Sequence, residues 1–178
     1  MWQAAGKVSV KNLRTVVKLH DLTGFDGRCD AIYFTTEEGR IPPSDMKQLE
    51  AFRRKALGFP DEAPLAGQYD LVVVGAGIAG MSAAVSAARL GCKVALINDR
   101  PVIGGNNSSE IRVHLGGRIE EGVYKELGGL QKEFGPEKGG NAQPAENYED
   151  QKKLDWLANE KNVTLFLNYR AIGVTKDG

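Results

Sequence analysis

Three closely spaced glycines, in Gly75-Ala76-Gly77-Ile78-Ala79-Gly80, can cradle a phosphate with backbone alone. Gly75 allows a tight turn, Gly77 has no Cβ to hold a pyrophosphate away, and Gly80 lets a helix pack close to a sheet. The N–H groups that open such a helix have no intrahelical acceptor and face an anion with the helix dipole behind them. Eighteen residues past Gly80 stands Asn98, followed by Asp99 and Arg100. Dinucleotide sites place an acid here for the adenosine ribose. Asn98 can accept that bond as a neutral group, and Asp99 can serve if the strand ends one residue later. Arg100 can pair with a 2′-phosphate, which keeps an NADP reading open. A glycine doublet, Gly104-Gly105, then precedes Ser108, whose hydroxyl can donate to a phosphate. Glu110, Arg112 and His114 are spaced by two, so an extended chain would point all three to one face. His114 would suit general acid or base work near neutral pH. There is no metal-ligand cluster and no G-x-S-x-G nucleophile elbow. Next to the doublet, Ser108-Ser109 suits phosphate contact better than nucleophilic attack.

The flanking elements decide whether such residues meet. Asp70-Leu71-Val72-Val73-Val74 is a continuous apolar strand of the kind buried on both faces of a parallel sheet. Ala79 to Leu90 reads as a helix and Lys93 to Ile97 as a second strand, which makes a β-α-β unit around the glycines. Beyond the glycine-rich loop come a helical stretch near Glu120–Phe134, a solvated polar loop, and a helix over about Tyr148–Glu160. Val163–Leu167 and Ala171–Thr175 read as further strands, and Lys176-Asp177-Gly178 has turn chemistry. Upstream, residues 6–36 read as β, with runs at Thr15–His20 and Cys29–Thr35 around an Asp26-Gly27 turn. Ser44 or Asp45 can cap a helix that carries Met46, Leu49, Phe52 and Leu57 on one face. Gly58, Pro60, Pro64 and Gly67 then form a linker.

Composition narrows the function classes. The 178 residues carry 23 basic and 23 acidic side chains, a formal net charge of zero, and neither residues 1–69 nor 70–178 has the basic excess that binding a phosphate backbone needs. A nucleic-acid function therefore has no electrostatic support. Hydrophobic content of 42% is that of a folded protein. Two cysteines, Cys29 and Cys92, are too few for a disulfide framework and read as small buried apolar groups. Leu71 to Ala88 is uncharged but rich in glycine and serine, which does not suit a membrane span.

With Gly75–Gly80 in its β-α-β setting and Arg100-Pro101-Val102-Ile103-Gly104-Gly105-Asn106-Asn107-Ser108 directly after it, the sequence resembles the FAD-dependent oxidoreductases of the two-dinucleotide-binding-fold type. In those proteins a glycine doublet plus Ser/Thr supports the FAD diphosphate and ribityl region. The stretch Gly104 to Leu115 is similar to one branch, FAD-dependent oxidoreductases of bacterial carbohydrate-associated loci.

The resemblance covers about Gln68 to Gly178 and implies an internal fragment of a longer chain. It places the C-terminal strands of a β-sandwich domain over residues 1–36, a helix and linker over 37–67, and part of a Rossmann-like α/β FAD-binding domain over 68–178. It implies FAD as cofactor, held by Gly75, Gly77, Ile78, Ala79, Gly80, Asn98, Asp99, Arg100, Gly104, Gly105 and Ser108. It implies hydride transfer between an organic substrate, sugar-related in that branch, and flavin. Read from the residues, Arg112 could stabilise a reduced anionic ring and His114 could exchange protons; the competing reading is an ordinary Arg112–Glu110 ion pair with His114 as a structural hydrogen-bonder. The sequence departs from the family pattern at Asn98, where an acid is usual. Two other readings compete: an NAD(P)-binding oxidoreductase domain, supported by Arg100, and a carbohydrate-binding or docking β module on an inactive α/β support.

Overall fold

The computed structural model describes residues 2–20, 22, 29, 31–60, 62–117 and 120–176. The chain divides into two compact units, Met1–Ala66 and Gly67–Gly178.

Among its described residues the first unit holds one helix, α1 (Met46–Ala56). Asp45 caps it, accepting the Gln48 N–H at 3.0 Å, and Arg53, Arg54 and Lys55 in its last turn suit the helix dipole. Gly58, at φ +68°, ends it. The Gly58 and Phe59 N–H groups return to Lys55 O and Arg54 O, a Schellman pair. Of the four apolar residues expected on one face, Leu49 and Phe52 are half-buried while Met46 and Leu57 are exposed. Phe52 stacks edge-on against Tyr33 (5.2 Å) and Tyr33 against Trp2 (6.4 Å). The expected strands at Thr15–His20 and Cys29–Thr35 are not formed among the described residues. Val16, Val17, Leu19, Ile32 and Phe34 are all exposed. β-branched runs supply propensity, but a strand exists only through a ladder partner. The predicted Asp26-Gly27 turn lies outside the described residues, as does the end of the turn predicted at Lys176–Gly178. Cys29 is exposed rather than buried, and Cys92 is half-buried.

The second unit is a parallel three-stranded sheet with helices. β1 (Leu71–Val74), β2 (Val94–Asn98) and β3 (Val163–Leu167) lie in that order. Leu71 pairs with Val94, and Val94 with Val163. α2 (Ile78–Arg89) connects β1 to β2. A long excursion through α3 (Gly128–Phe134) and α4 (Asp150–Ala158) leads to β3. Met81, Ala84, Val85 and Ala88 recur at helical spacing and form the buried face of α2. They pack with Val94, Leu96, Phe134 and Leu157 in one core cluster, flanked by Val73 and Leu165. β2, paired on both sides, is buried almost throughout. β1 is less covered than its apolar run suggests, with Val72 51% and Val74 64% exposed. Among the described residues it has a ladder partner on one side only, and alternation turns only Val73 toward the helix-covered face.

Arg89, at the end of α2, ties three helical segments together. It makes a bidentate pair with Glu133 of α3 (2.9 and 2.7 Å) and also reaches Glu160, just after α4. Glu133 accepts the Trp156 Nε1–H of α4 at 2.8 Å as well.

Two further expectations are corrected. The helical stretch near Glu120–Phe134 begins at Lys125 as a 3₁₀ turn and becomes α-helical at Gly128. Ala171–Thr175 forms no strand. Asn168 turns left-handed at φ +61°, and the last rung is Tyr169 N–H to Asn98 O at 3.0 Å. Ile172 and Val174 then run exposed, with no neighbour to pair with among the described residues.

Candidate dinucleotide site

β1 delivers the chain to Gly75, whose φ of +99° turns it out of the sheet. The Gly75 N–H still donates to Ile97 O at 2.7 Å. A Cβ at Gly80 would stand 1.9 Å from Gly75 O, so the first turn of α2 sits directly on the turn carbonyl. Gly77 caps α2 with extended backbone (φ −71°, ψ 176°). The first intrahelical bond is Met81 N–H to Gly77 O at 2.9 Å, which leaves the N–H groups of Ile78, Ala79 and Gly80 ahead of it.

The glycine doublet folds back onto this turn. Gly104 and Gly105 both have left-handed backbone, at φ +101° and +59°. Gly77 and Gly104 form a parallel bridge, and the Gly104 N–H donates to Ala76 O at 2.8 Å. A Cβ at Gly105 would meet Gly77 Cα at 3.0 Å. A Cβ at Gly104 would stand 2.5 Å from Asn107 O and 3.2 Å from Lys153 Cδ. The two motifs, separate in sequence, are therefore one backbone-lined floor. A Cβ at Gly77, by contrast, would find only Gly105 Cα at 3.9 Å, an ordinary contact.

Three side chains hold the floor. Buried Asn98, the last residue of β2, accepts the Ala76 N–H at 3.1 Å and donates to Arg100 O (3.0 Å) and Val102 O (2.9 Å). Both amide protons are thus spent on the loop. Buried Ser108 donates its hydroxyl to Gly105 O at 2.7 Å rather than outward. Asn107 donates to Val113 O at 3.0 Å, and its Oδ1 is buried without a partner. Asp99 and Arg100 are exposed, and the Arg100 guanidinium faces Glu110 at 3.5 Å.

Arg112 and His114 do not form an extended alternating face with Glu110. Arg112 is left-handed at φ +62°, and its Nε–H bonds back to Ser109 O at 2.9 Å. Its carbonyl accepts the Ala142 N–H at 2.8 Å and lies 2.5 Å from the Tyr148 hydroxyl, which also accepts the Gln143 N–H. The His114 N–H donates to Asn141 Oδ1 (2.7 Å), and His114 Nδ1 accepts the Gly140 N–H (3.2 Å). A neutral ring in that arrangement carries its proton on Nε2. The polar loop is exposed at Asn141, Ala142, Pro144 and Glu146, and it is also strapped across residues 112–114 through Gly140, Asn141 and Ala142.

Sequence reasoning missed Lys153. Its side chain is fully buried, its ammonium donates to Tyr148 O, and Asp150 Oδ1 lies 3.6 Å away. Burial pushes its pKa below the ordinary lysine value, with Asp150 opposing the shift. A lysine one turn into an amphipathic helix gives no sequence signal of burial. Among the described residues, no group of three or more His, Cys, Asp and Glu side chains could hold a metal ion. No helix there is long and apolar enough to cross a membrane.

A parallel sheet whose first strand–helix turn is built of close-approaching glycines defines the class: a Rossmann-like dinucleotide-binding α/β fold. The FAD dependent oxidoreductase family model matches residues 70–178. The chain belongs to that family, and FAD is its cofactor. It is 55% identical over 38 residues to the soluble pyridine nucleotide transhydrogenase of Ectopseudomonas mendocina, covering 21% of this chain and 8% of that protein. It is 32% identical over 114 residues to the NADH:fumarate oxidoreductase of Klebsiella pneumoniae, covering 62% of this chain and 12% of that protein. A solved histamine dehydrogenase from Rhizobium sp. 4-9 aligns with 64% of this chain and 13% of its own, at 17% identity and a TM-score of 0.34. The chain thus spans a small part of the length of these relatives.

Proposed function

We propose that this chain supplies the adenosine- and diphosphate-binding part of an FAD-dependent oxidoreductase that moves a hydride between an organic substrate and flavin. The observation that carries the reading is the joining of the two glycine motifs at Gly77 and Gly104 beneath the open N-terminus of α2. The fit is good. Among the described residues nothing forbids a side chain at Gly77, which supports a glycine kept there for a neighbour outside the chain, such as a diphosphate oxygen. Bound FAD supplies the redox chemistry.

The chain's own residues bind and orient. The N–H groups of Ile78, Ala79 and Gly80 would donate to diphosphate oxygens. Gly75, Gly104 and Gly105 shape the backbone around them, while Asn98 and Ser108 brace that backbone from behind. Asp99, exposed just past the end of β2, would be the acid that accepts from the ribose. Arg100 faces Glu110, which leaves its guanidinium less suited to a 2′-phosphate. Arg112 places positive charge on the strapped segment. With Nδ1 accepting from Gly140, His114 would have Nε2 left for a hydrogen bond to a substrate, and any tautomer with the proton on Nδ1 forfeits the Gly140 bond.

Titrating purified protein, stripped of nucleotide, with FAD and with NADP tests the reading. Retained visible flavin absorbance after gel filtration, together with FAD-induced thermal stabilisation larger than that from NADP, is the expected result. At a hundredfold excess over Kd, bound ligand adds about 2.7 kcal/mol. Stabilisation by NADP alone would overturn the proposal.

A further inference from the structure

Lys153 is as deeply buried as any residue of the second unit, yet the sheet core does not need its charge. A methionine would fill the same space without the desolvation cost, and buried ion pairs are often no more stabilising than apolar replacements. What the ammonium adds is direction. It donates to Tyr148 O and faces Asp150 Oδ1 at 3.6 Å. Both Asp150 carboxylate oxygens receive the Ser109 N–H, at 3.2 and 3.1 Å. Ser109 follows Ser108, whose hydroxyl holds Gly105 O. The lysine stem passes beneath the doublet, where a Cβ on Gly104 would lie 3.2 Å from Cδ. One side chain thus touches the floor of the loop and, through Asp150, anchors its far end to α4.

We propose that Lys153 is a positioning residue for diphosphate recognition: through Asp150 and the Tyr148 carbonyl it holds the Gly104–Ser109 backbone in the conformation that meets the diphosphate. The inference rests on the reading of this loop given under Proposed function. A role through geometry predicts a selective effect. Ligands that carry a diphosphate lose affinity when the anchor is cut, and a nucleoside alone does not.

The test is displacement of FAD, followed by flavin fluorescence, using ADP and adenosine as competitors. Wild-type protein is expected to bind ADP at least tenfold more tightly than adenosine. K153M is expected to lose roughly tenfold in affinity for FAD and for ADP, within the usual range of coupling between neighbouring groups, with adenosine unchanged. D150A cuts the same anchor from its other side and is expected to show the same selective loss. K153M/D150A should lose no more than the worse single variant, since both act through one link. Should K153M fail to fold, D150A decides. Wild-type affinity for ADP in both variants, or an equal loss of ADP and adenosine, overturns the role of Lys153. Wild-type protein that prefers ADP no more than adenosine would instead sink the diphosphate reading of the loop, a separate and distinguishable failure.

Discussion

One methyl group added at Gly80 and one at Gly77 should have opposite consequences. At Gly80 the new carbon would stand 1.9 Å from Gly75 O, a backbone atom that cannot step aside. G80A is therefore expected to destabilise the protein without any cofactor present, by about 1–3 kcal/mol or more, readable in urea unfolding. At Gly77 the same carbon meets only ordinary contact, on backbone any residue can adopt. G77A should change stability by less than about 0.5 kcal/mol, while FAD affinity falls markedly in a fluorescence titration. Equal effects of the two would overturn the assignment of Gly77 to the ligand. Asn98 carries a second residue-scale prediction. An aspartate there would look like a restored family acid, but it would aim an oxygen at the carbonyls of Arg100 and Val102, where Asn98 now donates. N98D is expected to cost about 1–3 kcal/mol in chemical denaturation. A neutral or stabilising N98D would show that this carboxamide does not brace the loop. The departure at Asn98 was legible in the sequence. Its reason was not, because the carbonyls it serves converge on it only after the loop closes.

Among the elements, the helices on the core side of the sheet meet through Arg89. Its guanidinium, together with the Trp156 indole N–H, holds the Glu133 carboxyl down at about 2 from an ordinary 4.5, and the two carboxylates raise Arg89. A carboxyl with a lowered folded-state pKa contributes stability that is fully present above its unfolded value and is lost as pH falls through the folded one. The acid limb between about pH 4.5 and 2 should therefore carry this contribution. Arg89 and Glu133 are each about two-fifths exposed, so solvent screening keeps the pair near 1 kcal/mol or below. R89M should flatten that limb of stability against pH, measured by urea unfolding at fixed ionic strength. An unchanged slope would remove Arg89 from the account. The helices were foreseeable from their apolar spacing, Met81, Ala84, Val85 and Ala88 among them. The clamp was not, because Arg89, Glu133 and Glu160 are far apart along the chain and charged residues at helix ends are common.

Over the whole molecule, order follows ladder partners. β2, paired on both sides and buried, should show the slowest amide hydrogen exchange, and Val94–Asn98 should outlast β1 and β3. The first unit, with no strand among its described residues and an aromatic trio as its ring packing, should exchange fastest. Comparable protection in residues 15–20 and 94–98 would show that the upstream β pattern does find partners. The contrast marks what each level of description decides. Sequence alone determined the β-α-β unit, the phosphate-cradling glycines and the flavin family. These rest on backbone requirements local to a few consecutive residues: an apolar run for a buried strand, and missing Cβ atoms for a tight turn and close approach. Tertiary structure alone decided that Gly77 meets Gly104, that Asn98 and Ser108 bond to the loop backbone, and that Lys153 is buried beneath it. It also decided that Thr15–His20 and Ala171–Thr175 form no strand among the described residues. Propensity and alternation describe one chain segment, whereas pairing, burial and the direction of a hydrogen bond depend on what a distant segment places opposite.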